Sequence, residues 1–155
     1  MKVISHRGNL HGPRTCNENS PESVEFALIQ GFECEIDIWF DENHNLLLGH
    51  DLGIYPISIP WIVERSNKLW IHCKNLPALI YFQNLESNLN YFWHENDRFT
   101  LTSLGYIWSY PDYIIHKDSI SVLPEKYFDL SKSASLPIAQ GFCTDFPILL
   151  AENLT

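Results

Sequence analysis

Glu35 and Asp37 fall two apart in the apolar run Phe32-Glu33-Cys34-Glu35-Ile36-Asp37-Ile38. Strand side chains alternate faces, so the two carboxylates share one face while Cys34, Ile36 and Ile38 take the other. Two acids about 7 Å apart on an apolar strand are costly to bury unless a cation sits between them. A hard divalent ion such as Mg²⁺ or Ca²⁺, which takes oxygen ligands, would supply that charge. The other reading is a solvent-facing strand with two hydrated acids. Downstream, a turn centred between Asn43 and His44 predicts Asp37 opposite His50, which adds an imidazole, and Asp51 could fix its tautomer. His6-Arg7-Gly8 ends the first apolar run, and an imidazole, a guanidinium and a glycine suit a phosphate group. In Trp70-Ile71-His72-Cys73-Lys74, alternation puts His72 and Lys74 on one face. Singly, they read as a satisfied core histidine and a solvated lysine. Together at strand ends, where barrel enzymes assemble their sites, these residues predict one site.

The elements that must position them alternate between short β-like runs and modest helices. Lys2–Arg7 reads as a first strand. Ser20 caps a helix opened by Pro21 and Glu22, stopped by Gly31, with Val24, Ala27 and Leu28 as its stripe. Phe32–Phe40 and Leu46–His50 are strands joined by the polar turn Asp41–Asn45. That turn is too short for a crossover helix, so the pair is antiparallel. Trp61–Ser66 predicts one or two helical turns, Lys68–Lys74 a strand and Leu76–Leu85 a helix. Tyr91–Glu95, Phe99–Ser103, Tyr106–Tyr110, Tyr113–His116, Ser119–Leu123 and Gln140–Thr144 read as strands with little room for helices between the earlier ones. This order favours an α/β or irregular barrel over an all-β sandwich.

Composition narrows the function. The 155 residues, 45% hydrophobic and 19% charged, fit one globular domain spanning 1–155. Nineteen acids against ten bases give a formal charge of −9, which argues against a nucleic-acid partner or an anionic membrane surface. No apolar run reaches the roughly 18 residues of a membrane span, and the first residues lack a signal-peptide core. Four cysteines without C-x-x-C spacing fit free thiols in a reducing compartment, so a cytoplasmic location is expected. Trp108 and the aromatic segment Tyr91-Phe92-Trp93-His94 each read either as core or as rings stacking on a ligand at the site's mouth.

These residues carry a resemblance. His6-Arg7-Gly8, Asn17-Glu18-Asn19-Ser20, Glu35-x-Asp37, Leu48-Gly49-His50-Asp51, Tyr106-Ile107-Trp108-Ser109 and Thr144-Asp145-Phe146-Pro147 resemble, in order and spacing, the motifs of the glycerophosphodiester phosphodiesterase family. That family sits within the phosphatidylinositol-phospholipase-C-like phosphodiesterase superfamily. The resemblance implies a (β/α)₈ TIM-type barrel, here trimmed or irregular, with several helices shortened or missing. It implies metal-dependent hydrolysis of a glycerol-containing phosphodiester and a place in lipid metabolism. The glycerol hydroxyl can attack first in this family, giving a cyclic phosphate that water then opens. His6 and His50 match its general acid and base, Glu35 and Asp37 two metal ligands, and Arg7 and Lys74 the phosphate-binding cations. Trp108 falls on a strand resembling the family's V-x-W-T and is expected to bind substrate.

Three departures from the pattern carry consequences. The Glu of the family's E-x-K strand is His72 here; if it ligates, Mn²⁺ or Zn²⁺ joins Mg²⁺ and Ca²⁺ as a candidate, and otherwise an acid such as Glu95 takes the place. Asn17 replaces a proline, which changes loop stiffness. Only 20 residues lie between Asp51 and His72, so the family's substrate-covering insertion is missing. An open cleft suits a larger or glycan-linked phosphodiester as well as a small one, and a barrel short of helices leaves room for a homodimer. A catalytically weak relative that binds a phosphorylated ligand is the alternative. Glycoside hydrolysis by Glu35 with Asp37 or Glu95 would leave His6, Arg7, His50 and Lys74 without a role.

Overall fold

The computed structural model describes residues 1–85, 87–110 and 115–154. Of the expected strand Tyr113–His116, Tyr113 and Ile114 lie outside the described residues, and Ile115 and His116 are not in a strand. Among those described, ten strands share one sheet: β1 Lys2–His6, β2 Glu33–Phe40, β3 Leu46–Leu48, β4 Tyr55–Ile57, β5 Leu69–Cys73, β6 Asn90–Phe92, β7 Phe99–Leu101, β8 Ile107–Ser109, β9 Ser119–Val122 and β10 Gly141–Thr144. The helices are α1 Pro21–Ile29, α2 Ile59–Glu64, α3 Leu76–Asn84 and α4 Pro147–Asn153. Each of the first three opens on a side-chain cap (Ser20, Ser58 and Asn75) with a proline in its first turn.

Strands β6, β5, β2, β1, β10, β9 and β8 run parallel in that spatial order, and β7 pairs antiparallel with β8. The gap from the β7–β8 hairpin back to β6 is bridged by Ser103, whose N–H donates to the Tyr91 carbonyl at 2.8 Å. The Thr100 hydroxyl adds a bond to the Trp93 carbonyl at 3.1 Å. The result is an irregular TIM-type barrel in which β3 and β4 extend the sheet beyond β2 as an antiparallel meander.

Alternation along the strands splits the core in two. Inside the barrel, Ile4, Trp70, Phe92, Trp108, Ile120, Val122 and Cys143 pack together. Outside, Cys34, Ile36, Ile38, Ile71 and Cys73 meet Val24, Ala27 and Leu28 of α1 and Ala78 and Phe82 of α3. At the N-terminal end, Glu33 accepts from Lys2 and from the Trp70 indole, each at 2.6 Å, which closes the barrel floor.

Several boundaries differ from the sequence reading. β1 stops at His6 because Arg7 turns to φ +55°. β3 ends at Leu48 because Gly49 takes φ +148°, outside strand geometry. β4 and α4 are additional, and β6 begins one residue earlier and ends sooner than Tyr91–Glu95. The hairpin register is shifted by one residue. Ile38 faces Leu48, so Asp37 meets Gly49, whose N–H donates to the Asp37 carbonyl at 3.1 Å. The cause is the turn. The Asp41 N–H donates to the Asn45 carbonyl and its Oδ1 accepts from the N–H groups of Asn43 and Asn45, while His44 takes φ +63°. Three residues therefore close the loop, and His50 does not sit opposite Asp37.

Candidate active site at the barrel mouth

The C-terminal ends of β1, β2 and β5 deliver the chemical side chains to one cavity of about 230 Å³, whose lining includes His6, Arg7, Glu35, His50, His72 and Lys74. Asp37 lies fully buried just behind that lining. Ligand atoms of Glu35, Asp37 and His72 lie within 4.8 Å of one another. His72 Nδ1 is 2.9 Å from Asp37 Oδ1 and 3.8 Å from Glu35 Oε1. Glu35 Oε2 and Asp37 Oδ1 are buried and accept no hydrogen bond. Orphaned carboxylate oxygens facing an imidazole nitrogen are the donor set a divalent cation requires, so these residues fit a metal.

The electrostatics separate the two carboxylates. Burial disfavours both as anions. For Asp37 it is outweighed by His72, by Arg7 Nε at 3.0 Å and by Lys74 Nζ at 3.4 Å, which together hold it well below the usual carboxylate range. Glu35 has weaker compensation, and burial plus the charge of Asp37 push it above its ordinary value. Asn19, at φ +60°, clamps Asp37 from outside: its Nδ2 donates to Oδ2 at 3.0 Å and its Oδ1 accepts the Asp37 N–H at 2.8 Å.

His6 is held from behind. Its Nδ1 is 2.7 Å from Asp145 Oδ1, which also accepts from Asn9 Nδ2 at 2.8 Å. Glu125 fixes that support by accepting from the Asp145 N–H and the Thr144 hydroxyl, both at 2.8 Å. Burial opposes the imidazolium, but Asp145 and Glu35 outweigh it, so His6 titrates above the ordinary histidine value. Its free Nε2 faces Glu35 Oε2 at 4.0 Å. Arg7 also pairs with Glu18 at 3.1 Å. Gly8, at φ +79°, lets this loop lie against α1, since a Cβ there would sit 2.8 Å from the backbone of Ser23.

The structure thus gathers His6, Arg7, Glu35, Asp37, His72 and Lys74 tightly and brings His50 to the cavity by a different route. His50 lies beyond the strand, its side chain 40% exposed, with Nδ1 2.7 Å from Asp51 Oδ1. Trp108 is only 3% exposed and sits inside the barrel against Trp70 and Phe92, at centroid distances of 5.5 and 4.7 Å. It contributes to the cavity's wall from within the core rather than standing at its mouth. Glu95 borders the cavity but is exposed and outside the carboxylate–imidazole cluster. Asn9, Asn19 and Asp145 carry weight that sequence reasoning did not give them. Asn19 and Asp145 fell inside quoted motifs, whereas Asn9 had no signal. His94 is another such residue. Its ring stacks on His72 at 4.4 Å, and burial with the nearby charges of His72 and Lys74 lowers its pKa to about 4.

An irregular TIM-type barrel with a buried carboxylate–imidazole cluster at its mouth is the class that fold and site define. No family model and no curated protein matches the sequence. Among solved structures, the chain is similar to a candidate glycerophosphodiester phosphodiesterase from Galdieria sulphuraria, with 11% identity and a TM-score of 0.60 over 97% of this chain and 96% of that one. It is also similar to a glycerophosphodiester phosphodiesterase from Agrobacterium tumefaciens str. C58, with 16% identity and a TM-score of 0.60 over 99% of both chains. At these identities the likeness is one of fold.

Proposed function

We propose that this chain is a metal-dependent phosphodiesterase acting on a phosphodiester that contains glycerol. The observation carrying this reading is the convergence on one cavity of the Glu35–Asp37–His72 cluster, the Asp145-backed His6 and the cations Arg7 and Lys74. Glu35, Asp37 and His72 would hold the divalent ion. When bound, it would polarise phosphoryl oxygens and offset their growing charge. Arg7 and Lys74 bind the phosphate from the same side, as a guanidinium fork and a point charge. His6 carries its exchangeable proton on Nε2, because Nδ1 is committed to Asp145. His50, oriented by Asp51 and open to water, serves as the second proton-transfer group.

The mouth carries the half-exposed rings of Trp93 and Tyr110, which offer stacking faces to the alcohol portion of the substrate. With no long segment between Asp51 and β5 to cover it, the cleft accommodates a glycan-linked glycerol phosphate as well as a small glycerophosphodiester. We place the activity in the cytoplasm, where its four thiols stay reduced. No described helix is long and apolar enough to cross a membrane. Exposed Leu101 on β7 and Leu104 beyond it offer an apolar face for a homodimer.

The test is hydrolysis of an aryl phosphodiester and of glycerophosphocholine, with EDTA and with added Mg²⁺, Ca²⁺, Mn²⁺ or Zn²⁺. Metal-restored turnover that vanishes in His6→Ala is expected. Activity surviving exhaustive chelation or persisting in His6→Ala would overturn the mechanism. Binding of glycerol 3-phosphate without turnover would identify a binding module instead.

A further inference from the structure

The His72 ring is held from the β6 side by two stacked rings and at its outer nitrogen. Phe92 stacks on it at 5.2 Å and His94 at 4.4 Å, each within 6° of parallel. Its Nε2 lies 3.3 Å from the His94 backbone carbonyl. A carbonyl has only lone pairs to offer, so Nε2 carries a hydrogen atom and Nδ1 is left to face the carboxylates. There it meets Asp37 Oδ1 at 2.9 Å and Glu35 Oε1 at 3.8 Å. In the metal-free protein a proton on Nδ1 bridges that gap, and a divalent cation takes its place on binding.

We infer that His94 is a positioning residue which locks His72 as an Nδ1 ligand, so that the site selects a borderline transition ion over Ca²⁺ or Mg²⁺. This deepens the proposed metal site and rests on Glu35, Asp37 and His72 forming it. Three protein ligands, one nitrogen and two oxygens, suit Zn²⁺, Co²⁺ or Mn²⁺ with positions left open for water or substrate. Ca²⁺ wants six to eight oxygens, and Mg²⁺ prefers an all-oxygen octahedron. A single His-to-Glu exchange at position 72 would restore an all-carboxylate set. The role of His94 is twofold: its main chain fixes the tautomer, and its ring fixes the plane.

The test uses the full chain stripped with EDTA and titrated with Co²⁺, followed by its visible absorption, with Zn²⁺, Mn²⁺, Ca²⁺ and Mg²⁺ as competitors. Zn²⁺ and Co²⁺ are expected to bind at least about tenfold more tightly than Ca²⁺, and His72→Glu to reverse that order. His94→Ala should loosen Co²⁺ by about tenfold or more, the usual cost of losing support behind a ligand. His94→Phe keeps a flat face and the carbonyl, and should restore most of the affinity. Nitrogen NMR of the stripped protein should find His72 protonated at Nε2. Ca²⁺ binding as tightly as Zn²⁺, a His72 without a proton on Nε2, or both His94 variants matching the parent would overturn the inference. Thermal midpoints measured alongside identify a variant that fails to fold, in which case His94→Phe and the parent NMR still decide. Selective metal binding without phosphodiester turnover would refute the proposed function and leave this inference standing; turnover with Ca²⁺ preferred would do the reverse.

Discussion

Two carboxylates on one strand face, two residues apart, should respond oppositely to neutralisation. Asp37 is fully buried; its Oδ1 meets His72 at 2.9 Å and Lys74 at 3.4 Å, and its Oδ2 meets Arg7 and Asn19, each at 3.0 Å. Asp37→Asn leaves partly buried Lys74 without its counterion and Arg7 with Glu18 alone, a loss of about 3–5 kcal/mol. With a urea m-value of about 2 kcal/mol per M, the midpoint should fall by roughly 1.5–2.5 M. Glu35 has no comparable partner: its nearest basic nitrogens stand at 3.8 and 4.0 Å, and Oε2 accepts no bond. In EDTA, Glu35→Gln should therefore be neutral or stabilising. The sign in pH follows. The folded state holds the Glu35 proton more tightly than the unfolded chain, so metal-free stability falls as pH rises from the free carboxylate value through the elevated one. Glu35→Gln should flatten that limb. Metal changes the ranking, because at 100 times its Kd an ion adds about 2.7 kcal/mol to the parent and to no variant lacking a ligand. Urea unfolding of the three proteins, with and without Zn²⁺, measures every term. Equal losses for Glu35→Gln and Asp37→Asn in EDTA, or a metal-induced shift retained by Glu35→Gln, would refute the reasoning.

Asn19→Ala loses both bonds to Asp37 and leaves alanine at φ +60°, which should cost about 3 kcal/mol, while Asn19→Gly should recover roughly 1 of it by accepting the backbone; equal unfolding midpoints for the two would show that the backbone is not strained. Asp145→Asn should lower the His6 titration midpoint, read by ring-proton NMR in EDTA. Because the folded His6 value is raised, the stabilisation from this pair is complete below about 6.5 and is lost as pH rises through the folded value, and the variant should lack that limb. Gly49→Ala would drive a Cβ into the Leu52 carbonyl oxygen, so the loop carrying His50 must move at a cost of about 1–3 kcal/mol. Its kcat/KM should fall further than its stability, and parent kinetics in a folded Gly49→Ala would remove His50 from the proposed mechanism.

Period-two alternation made the chemical face legible. It put Glu35 with Asp37 and His72 with Lys74, and the barrel interior holds both pairs near one another. Ser20, Pro21 and Gly31 likewise marked α1 correctly, because capping is a local matter. The register of the β2–β3 hairpin was not legible, since it turned on Asp41 accepting two backbone N–H groups and on His44 adopting a left-handed conformation. A one-residue difference in loop count moved His50 from opposite Asp37 to the rim. Asn9 was hidden, and His94, though among the rings read as candidates for the site's mouth, gave no sign of its contact with His72. Asn9 reaches Asp145, 136 residues away in sequence, and His94 reaches His72 across neighbouring strands. Contacts of that kind belong to the tertiary structure and leave no periodic trace.

The trimming of the barrel has its own logic. Interior and exterior faces of a parallel strand are separate surfaces, and helices touch only the exterior. The strands bearing His6, Glu35, Asp37 and His72 keep that cover, because Cys34, Ile36, Ile38, Ile71 and Cys73 are buried beneath α1 and α3. The β7–β8 side, where Phe99 and Leu101 stand exposed, contributes only wall residues such as Trp108 and Tyr110 to the cavity. Helices lost there surrender exterior burial but do not move a carboxylate or an imidazole. Interior rings compensate, since Trp70, Phe92 and Trp108 stack across the middle of the barrel and fix β5, β6 and β8 from within. A short chain can therefore keep a rigid chemical half and a thin remainder, provided its aromatic interior is intact.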